Sequence, residues 1–127
     1  FKVISTDHAP HAVLEKTGSI RNAAFGIVGI ETSFALSYTA LVETGILTIS
    51  QLIEKMSWNP AQILGIDRGT IQEGHPADVV IADIAHEYTI DKNEFASKGR
   101  NTPFDGWKVK GKILYTICDG KVVYQNA

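Results

Sequence analysis

The chain opens Phe1-Lys2-Val3-Ile4-Ser5-Thr6-Asp7-His8-Ala9-Pro10-His11. Lys2 to Ser5 is a short apolar run with β-branched residues, which predicts a strand. The densest cluster of titratable residues in the sequence, Asp7 to His11, follows at once. In barrels and open α/β sheets the loops leaving strand ends converge, and sites are built there. A carboxylate so placed can ligate a metal and take a proton from a bound water. A histidine four residues on, in a proline-stiffened turn, can reach a substrate anion. Taken alone, the same cluster also reads as a capped turn.

Downstream, residues 6–30 show no clean hydrophobic period and predict a long loop, a form uncommon in compact domains unless it carries function. Residues 31–43 place Phe34, Ala35, Tyr38, Leu41 and Val42 on one helical face, closed by Gly45. Thr48 and Gln51 have capping-box spacing ahead of Leu52, Ile53 and Met56, predicting a second helix. Asn59-Pro60 reads as an N-cap with proline at the first helical position, opening a third helix that ends near Gly65. Short β-type runs follow at 69–71, 78–84 and 87–90, with one helical turn expected in 92–97. Residues 111–118 and 121–125 flank Asp119-Gly120, the signature of a two-residue hairpin turn. The expectation is therefore two units, strand, loop and helices over 1–65 and a small β unit over 66–127.

Composition narrows the partners. The 127 residues are 44% hydrophobic and 20% charged, with net charge −2 and both signs interspersed. Nothing there suggests nucleic acid or a membrane surface as a partner. The longest apolar-and-glycine stretch, 23–30, is too short to span a bilayer. The lone Cys118 forms no internal disulfide and reads as an inert core residue of an apolar strand; with no charged n-region before an apolar stretch, a reducing, cytoplasmic setting is expected. The chain lacks an initiator Met and starts in a strand-like segment, so it is expected to be part of a longer protein. A (β/α)8 barrel takes ~250 residues, about twice this length.

Other candidates are weaker. His75, in Glu73-Gly74-His75-Pro76, reads as a loop residue, and His86 beside Asp83 and Glu87 as a surface turn. Gly26-Ile27-Val28-Gly29 lacks the Lys-Ser/Thr of a phosphate loop. Trp58 and Trp107 read as packing residues, and no Ser-His-Asp or Cys-His arrangement follows from spacing.

Several stretches together resemble one family. Ser5-Thr6-Asp7-His8-Ala9-Pro10-His11 is similar to the last barrel strand and following loop of dihydroorotases in the amidohydrolase superfamily. Phe25-Gly26-Ile27-Val28-Gly29-Ile30-Glu31-Thr32 resembles the glycine-rich substrate loop of the bacterial long-chain class. Met56-Ser57-Trp58-Asn59-Pro60-Ala61 with Leu64-Gly65, and Gly69-Thr70-Ile71 with Ala77-Asp78-Val79-Val80-Ile81, are similar to the helices and the return into a small β domain. Asn101-Thr102-Pro103-Phe104-Asp105-Gly106-Trp107 and the final hairpin complete the likeness, which covers essentially the whole chain.

The resemblance implies an α/β fold: the last strand, active-site loop and helices of a (β/α)8 barrel, plus the C-terminal part of a small β-sandwich domain. It implies a hydrolase of pyrimidine biosynthesis that interconverts dihydroorotate and N-carbamoyl-aspartate. Asp7 matches the metal-ligating, proton-shuttling aspartate, His11 the histidine that binds the substrate carboxylate, and Phe25 and Gly26 the loop positions at the pyrimidine ring. His8 matches no catalytic role, and a structural hydrogen bond is expected of it. The implied cofactor is zinc, mononuclear or binuclear in the intact enzyme. The family's His-x-His pair, carboxylated lysine, further histidines and substrate-binding arginine and asparagine are not found in this sequence. Weak or absent zinc binding and no turnover are therefore expected of residues 1–127 alone. The implied partners are the missing N-terminal part of the enzyme, a second copy in a homodimer, and an aspartate transcarbamoylase. Two alternatives stand beside this reading. One is a hydantoinase or allantoinase, which commonly lacks the histidine four residues after the aspartate. The other is a non-catalytic dihydroorotase-like scaffold for a transcarbamoylase.

Overall fold

A computed structural model describes residues 1–126; Ala127, the last residue of the expected 66–127 unit, lies outside the described residues. The chain is α/β. Residues 1–32 carry a single 3-10 turn, Val13–Lys16, and one isolated parallel bridge, His8 to Ile27. The expected long loop is therefore present. The expected strand at Lys2 to Ser5 is not. A strand exists only through its ladder, and no described strand flanks this segment. It is tied instead to a helix: the Ile4 N–H donates to the Lys55 carbonyl (3.1 Å), the Lys55 ammonium to the Phe1 carbonyl (2.7 Å), and Asn59 Nδ2 to the Lys2 carbonyl (2.8 Å).

Helix α1 (Ser33–Ser37) passes directly into a π-helical turn, Tyr38–Val42. Its apolar face is the one expected: Ala35 is buried, and the Phe34 and Tyr38 rings stack 6.1 Å apart. Helix α2 (Ile49–Ile53) starts at the expected capping box. Thr48 Oγ1 accepts the Gln51 N–H (3.2 Å), and Gln51 Oε1 accepts the Thr48 N–H (2.8 Å). From there the helix does not stop. A π-helical turn, Glu54–Trp58, runs into α3 (Asn59–Leu64), so Asn59 is helical (φ −62°, ψ −42°) and no N-cap. Proline lacks the N–H of the regular ladder, and at Pro60 the helix carries it just after the widened turn rather than starting afresh. Gly65 ends the run in the left-handed conformation (φ 65°, ψ 32°), as expected.

The second half holds β1 (Val79–Asp83), β2 (Tyr88–Thr89), a 3-10 turn at Lys92–Glu94, β3 (Lys108–Val109), β4 (Lys112–Cys118) and β5 (Lys121–Gln125). Residues 69–71 form no strand, again for want of a neighbour to pair with. Strands β1, β4 and β5 make one antiparallel sheet with β4 in the centre; β2 and β3 make a second, two-stranded one. The β4–β5 turn has positive φ at both Asp119 (46°) and Gly120 (75°), the type I′ geometry that Asp-Gly favours.

The main buried cluster spans both halves of the sequence. Ala35 of α1 meets Ile90 and Val109, with Leu36, Tyr88, Phe95 and Phe104 packed around them. Polar contacts reinforce the seam. The Lys110 N–H donates to Thr39 Oγ1 (2.9 Å), and its ammonium pairs with Glu43 Oε1 (2.6 Å). The chain bends at Gly111 (φ 95°), where a Cβ would lie 3.1 Å from the Phe34 ring. Glu31 reaches the other way, accepting the Ala96 and Ser97 N–H groups at 2.8 and 3.0 Å. Among the described residues no helix is long and apolar enough to cross a membrane.

Candidate active site

Two segments far apart in sequence lie side by side to form the site. The Ala9 N–H donates to the Ile27 carbonyl (2.9 Å), next to the His8–Ile27 bridge. Their approach depends on glycine. A Cβ at Gly29 would sit 3.0 Å from Thr6 Cβ and 3.2 Å from the Thr6 carbonyl oxygen. At Gly26 it would come to 2.5 Å from Ala9 Cβ, and Gly26 also has φ +99°. Any side chain at Gly26 therefore meets both a steric and a conformational penalty.

Asp7 stands at the end of this pairing, exposed, with φ +44°. That left-handed conformation is uncommon outside glycine, and Asp is among the residues that tolerate it. Next to it, His8 Nδ1 accepts the Gly29 N–H at 3.0 Å, with the Ile30 N–H at 3.5 Å. His8 is thus an anchor for the glycine-rich loop, in keeping with the structural role expected of it. An Nδ1 that accepts carries no proton of its own.

His11 meets the other two expected site residues. Its Nε2 lies 2.7 Å from the Phe25 carbonyl oxygen and can only donate to it, while Nδ1 faces Glu15 Oε2 at 3.7 Å. The ring remains 23% exposed, and Phe25 presents its side chain outward at 85% exposure. Lys16 grips the same loop from below, donating from its ammonium to the Ala24 (2.7 Å) and Gly26 (2.9 Å) carbonyls. The structure thus brings His11, Phe25 and Gly26 into one constellation and sets Asp7 at the start of the same turn. Chemically this is an imidazole donor and an exposed apolar ring beside an open glycine backbone, with a carboxylate four residues from the imidazole.

Sequence reading missed Glu15, Lys16 and Asn101 as members of this network. Asn101 Oδ1 accepts the His11 N–H (3.0 Å), and its Nδ2 donates to the Ala9 (2.9 Å) and Gly26 (3.2 Å) carbonyls. No local spacing links position 101 to position 11. The only available signal was that Asn101 opens one of the segments carrying the family likeness.

The other candidates fall away. His75 Nδ1 meets Asp67 Oδ1 at 2.6 Å in an exposed loop, and His86 Nδ1 meets Asp83 Oδ2 at 2.8 Å on the surface. Asp83 is held below the usual carboxylate range by the hydrogen bond from His86 and by the Ala85 and His86 N–H groups. Cys118 is exposed rather than in the core. Its thiol is pushed up, chiefly by the Asp78 carboxylate beside it, which disfavours the thiolate. Trp107 meets Phe104 edge-on (5.1 Å) yet is exposed, as is Trp58. An open groove of about 710 Å³ borders His8, Thr32, Tyr88 and Phe95, but none of Asp7, His11, Phe25 or Gly26 lines it.

Among the described residues no three His, Cys, Asp or Glu side chains converge on a point where they could hold a metal. A catalytic zinc usually takes about three protein ligands, so Asp7 does not make a zinc site by itself.

The pattern of the amidohydrolase family matches residues 1–123. The chain belongs to the amidohydrolase family. Similar curated amidohydrolases include the dihydroorotase of Lactiplantibacillus plantarum, 52% identical over 96% of this chain, and that of Brevibacillus brevis, 51% identical over 98%. The chain spans only 29% of the length of each. Among solved structures it is similar to the L-hydantoinase (dihydropyrimidinase) of Arthrobacter aurescens, with TM-score 0.78 and 34% identity over 84% of this chain and 24% of that one. It is also similar to the D-hydantoinase (dihydropyrimidinase) of a Thermus species, with TM-score 0.88 and 27% identity over 98% of this chain and 28% of that one. The dihydropyrimidinase of Brevibacillus agri shares the fold at TM-score 0.91, with 23% identity over 98% of this chain and 28% of that one.

Proposed function

We propose that this amidohydrolase chain carries the substrate-carboxylate and ring-binding share of a dihydroorotase, which interconverts dihydroorotate and N-carbamoyl-aspartate in pyrimidine synthesis. The observation that carries the reading is His11. It lies four residues after Asp7, with its ring against the Phe25 carbonyl and beside the open backbone of Gly26. The dihydroorotase names of relatives about half identical across nearly the whole chain support the same substrate.

In this reading the imidazole N–H of His11 turns from the Phe25 carbonyl to the substrate's exocyclic carboxylate. The substrate ring lies against Phe25 and the Gly26 backbone, where the missing Cβ leaves room. The Asp7 carboxylate takes a proton from the water that adds to the ring carbonyl. It returns that proton to the ring nitrogen as the C–N bond breaks. One group thus acts first as base and then as acid. Zinc belongs to the same proposal, with Asp7 as one ligand and the others supplied from outside these residues; no step above depends on it.

Residues 1–65 then form the end of the barrel domain and 66–127 the small β domain. In this reading the enzyme works in the cytoplasm as a homodimer, with an aspartate transcarbamoylase as its partner. The isolated chain binds zinc weakly and has no turnover, which an activity assay on purified 1–127 tests directly; sustained hydrolysis would sink that part of the reading.

The substrate is tested by His11→Ala in the intact enzyme. Losing a hydrogen bond to a charged group raises KM for dihydroorotate by roughly ten- to a hundredfold. An unchanged KM would favour the hydantoinase reading, to which the structural neighbours belong by name.

A further inference from the structure

Asn101 belongs to the second half of the chain, yet every polar group of its side chain is engaged in the first half. Its carboxamide oxygen accepts the backbone N–H of His11, and its two amide hydrogens serve the carbonyls of Ala9 and Gly26. Its own backbone carbonyl accepts the Val28 N–H at 3.1 Å. One side chain therefore spans both walls of the site, bonding one backbone group of His11 and one of Gly26.

The approach is enforced from behind. Gly99 is buried against Pro10; a Cβ there would lie 2.7 Å from Pro10 Cβ and 3.0 Å from Asn101 Oδ1. The 99–101 segment thus lies flush on the Asp7–His11 turn with no room to shift. An amide is the only side-chain group that offers one acceptor and two donors in a plane, and all three are used.

We propose that Asn101 is a positioning residue for the substrate-binding edge of the site. It fixes the separation of His11 from Gly26 and thereby sets affinity for the carboxylate-bearing ring, without touching the substrate. This rests on the dihydroorotase reading above. A wild-type enzyme inert toward dihydroorotate overturns that reading before any Asn101 variant is made.

The test uses the intact enzyme with Asn101→Asp and the milder Asn101→Gln, alone and combined with His11→Ala. In Asn101→Asp the acceptor for His11 survives, but an oxygen now faces two carbonyls. The expected result is a KM for dihydroorotate raised about tenfold or more, with kcat within about threefold and bound metal unchanged. In the His11→Ala background the share of that KM penalty that acts through the imidazole disappears, and only the share that acts through Gly26 stays. A penalty that stays full-sized in that background, or a fall in kcat and metal content with KM unmoved, overturns the proposal. Should Asn101→Asp fail to fold, Asn101→Gln carries the same comparison, and wild-type KM in that variant also overturns it.

Discussion

At Gly26 the site depends on the absence of a side chain. Its φ of +99° strains any L-residue, and a Cβ would be driven to 2.5 Å from Ala9 Cβ. Gly26→Ala is expected to cost about 1–3 kcal/mol of stability, from backbone strain and forced repacking together, read as a shift in the denaturation midpoint of the intact enzyme. The same substitution pushes Ala9 outward and so raises KM, whereas Gly45→Ala, at φ +77° but with nothing within 4 Å, carries the strain alone. At this scale the sequence named candidates. The run Asp7 to His11 declared itself by density of titratable groups, and Phe25-Gly26 by likeness to a substrate loop. Asn101 was not legible, because its partners lie some 90 positions away and no period or spacing encodes them.

At the scale of elements, what could be read in advance was what neighbouring residues decide among themselves. The Thr48–Gln51 box formed as expected, with reciprocal bonds of 3.2 and 2.8 Å. Thr48→Ala should therefore destabilise the fold by about 1 kcal/mol, measurable in a urea titration. The Asp119-Gly120 turn likewise carries its geometry in two residues. Lys2 to Ser5 and residues 69–71 failed as strands for the opposite reason: a ladder needs a partner that local composition does not supply. Asn59-Pro60 failed because a π-helical turn let the helix run on where two separate helices were expected. The opening segment meets that continuous helix through Lys55 on the Phe1 carbonyl and Asn59 on the Lys2 carbonyl.

For the molecule as a whole, two titrations join that of the Cys118 thiol in pointing the same way in alkali. The Lys110 ammonium is held above its usual range, first by its hydrogen bond to Glu43 and then by that carboxylate's charge. The Tyr88 phenol is also raised, first by burial and then by Tyr124. Each group binds its proton more tightly when folded than when unfolded. The stability they contribute is complete below the unfolded values near pH 10 and is lost as pH rises through the folded ones. Denaturation midpoints measured from about pH 8 to 11 should therefore fall, and Lys110→Met should flatten part of the slope. A slope unaffected by Lys110→Met would mean the seam between the two halves does not depend on that pair. The α/β class was expected from the family likeness and from helical runs followed by β-type runs. The joint core of Ala35, Ile90 and Val109 was not, since it forms only when distant segments meet.

The seating of Gly99 against Pro10 bears on how such enzymes diversify. The site residues proposed for this chain lie in its first 26 residues, and the segment near position 100 packs against them and bonds to them. If the 66–127 half is exchanged between relatives, the graft transfers no proposed catalytic group but does carry the ruler that sets the width of the ring-binding cleft. Under the Asn101 proposal, substitutions in the second half then shift substrate preference without changing a proposed binding group.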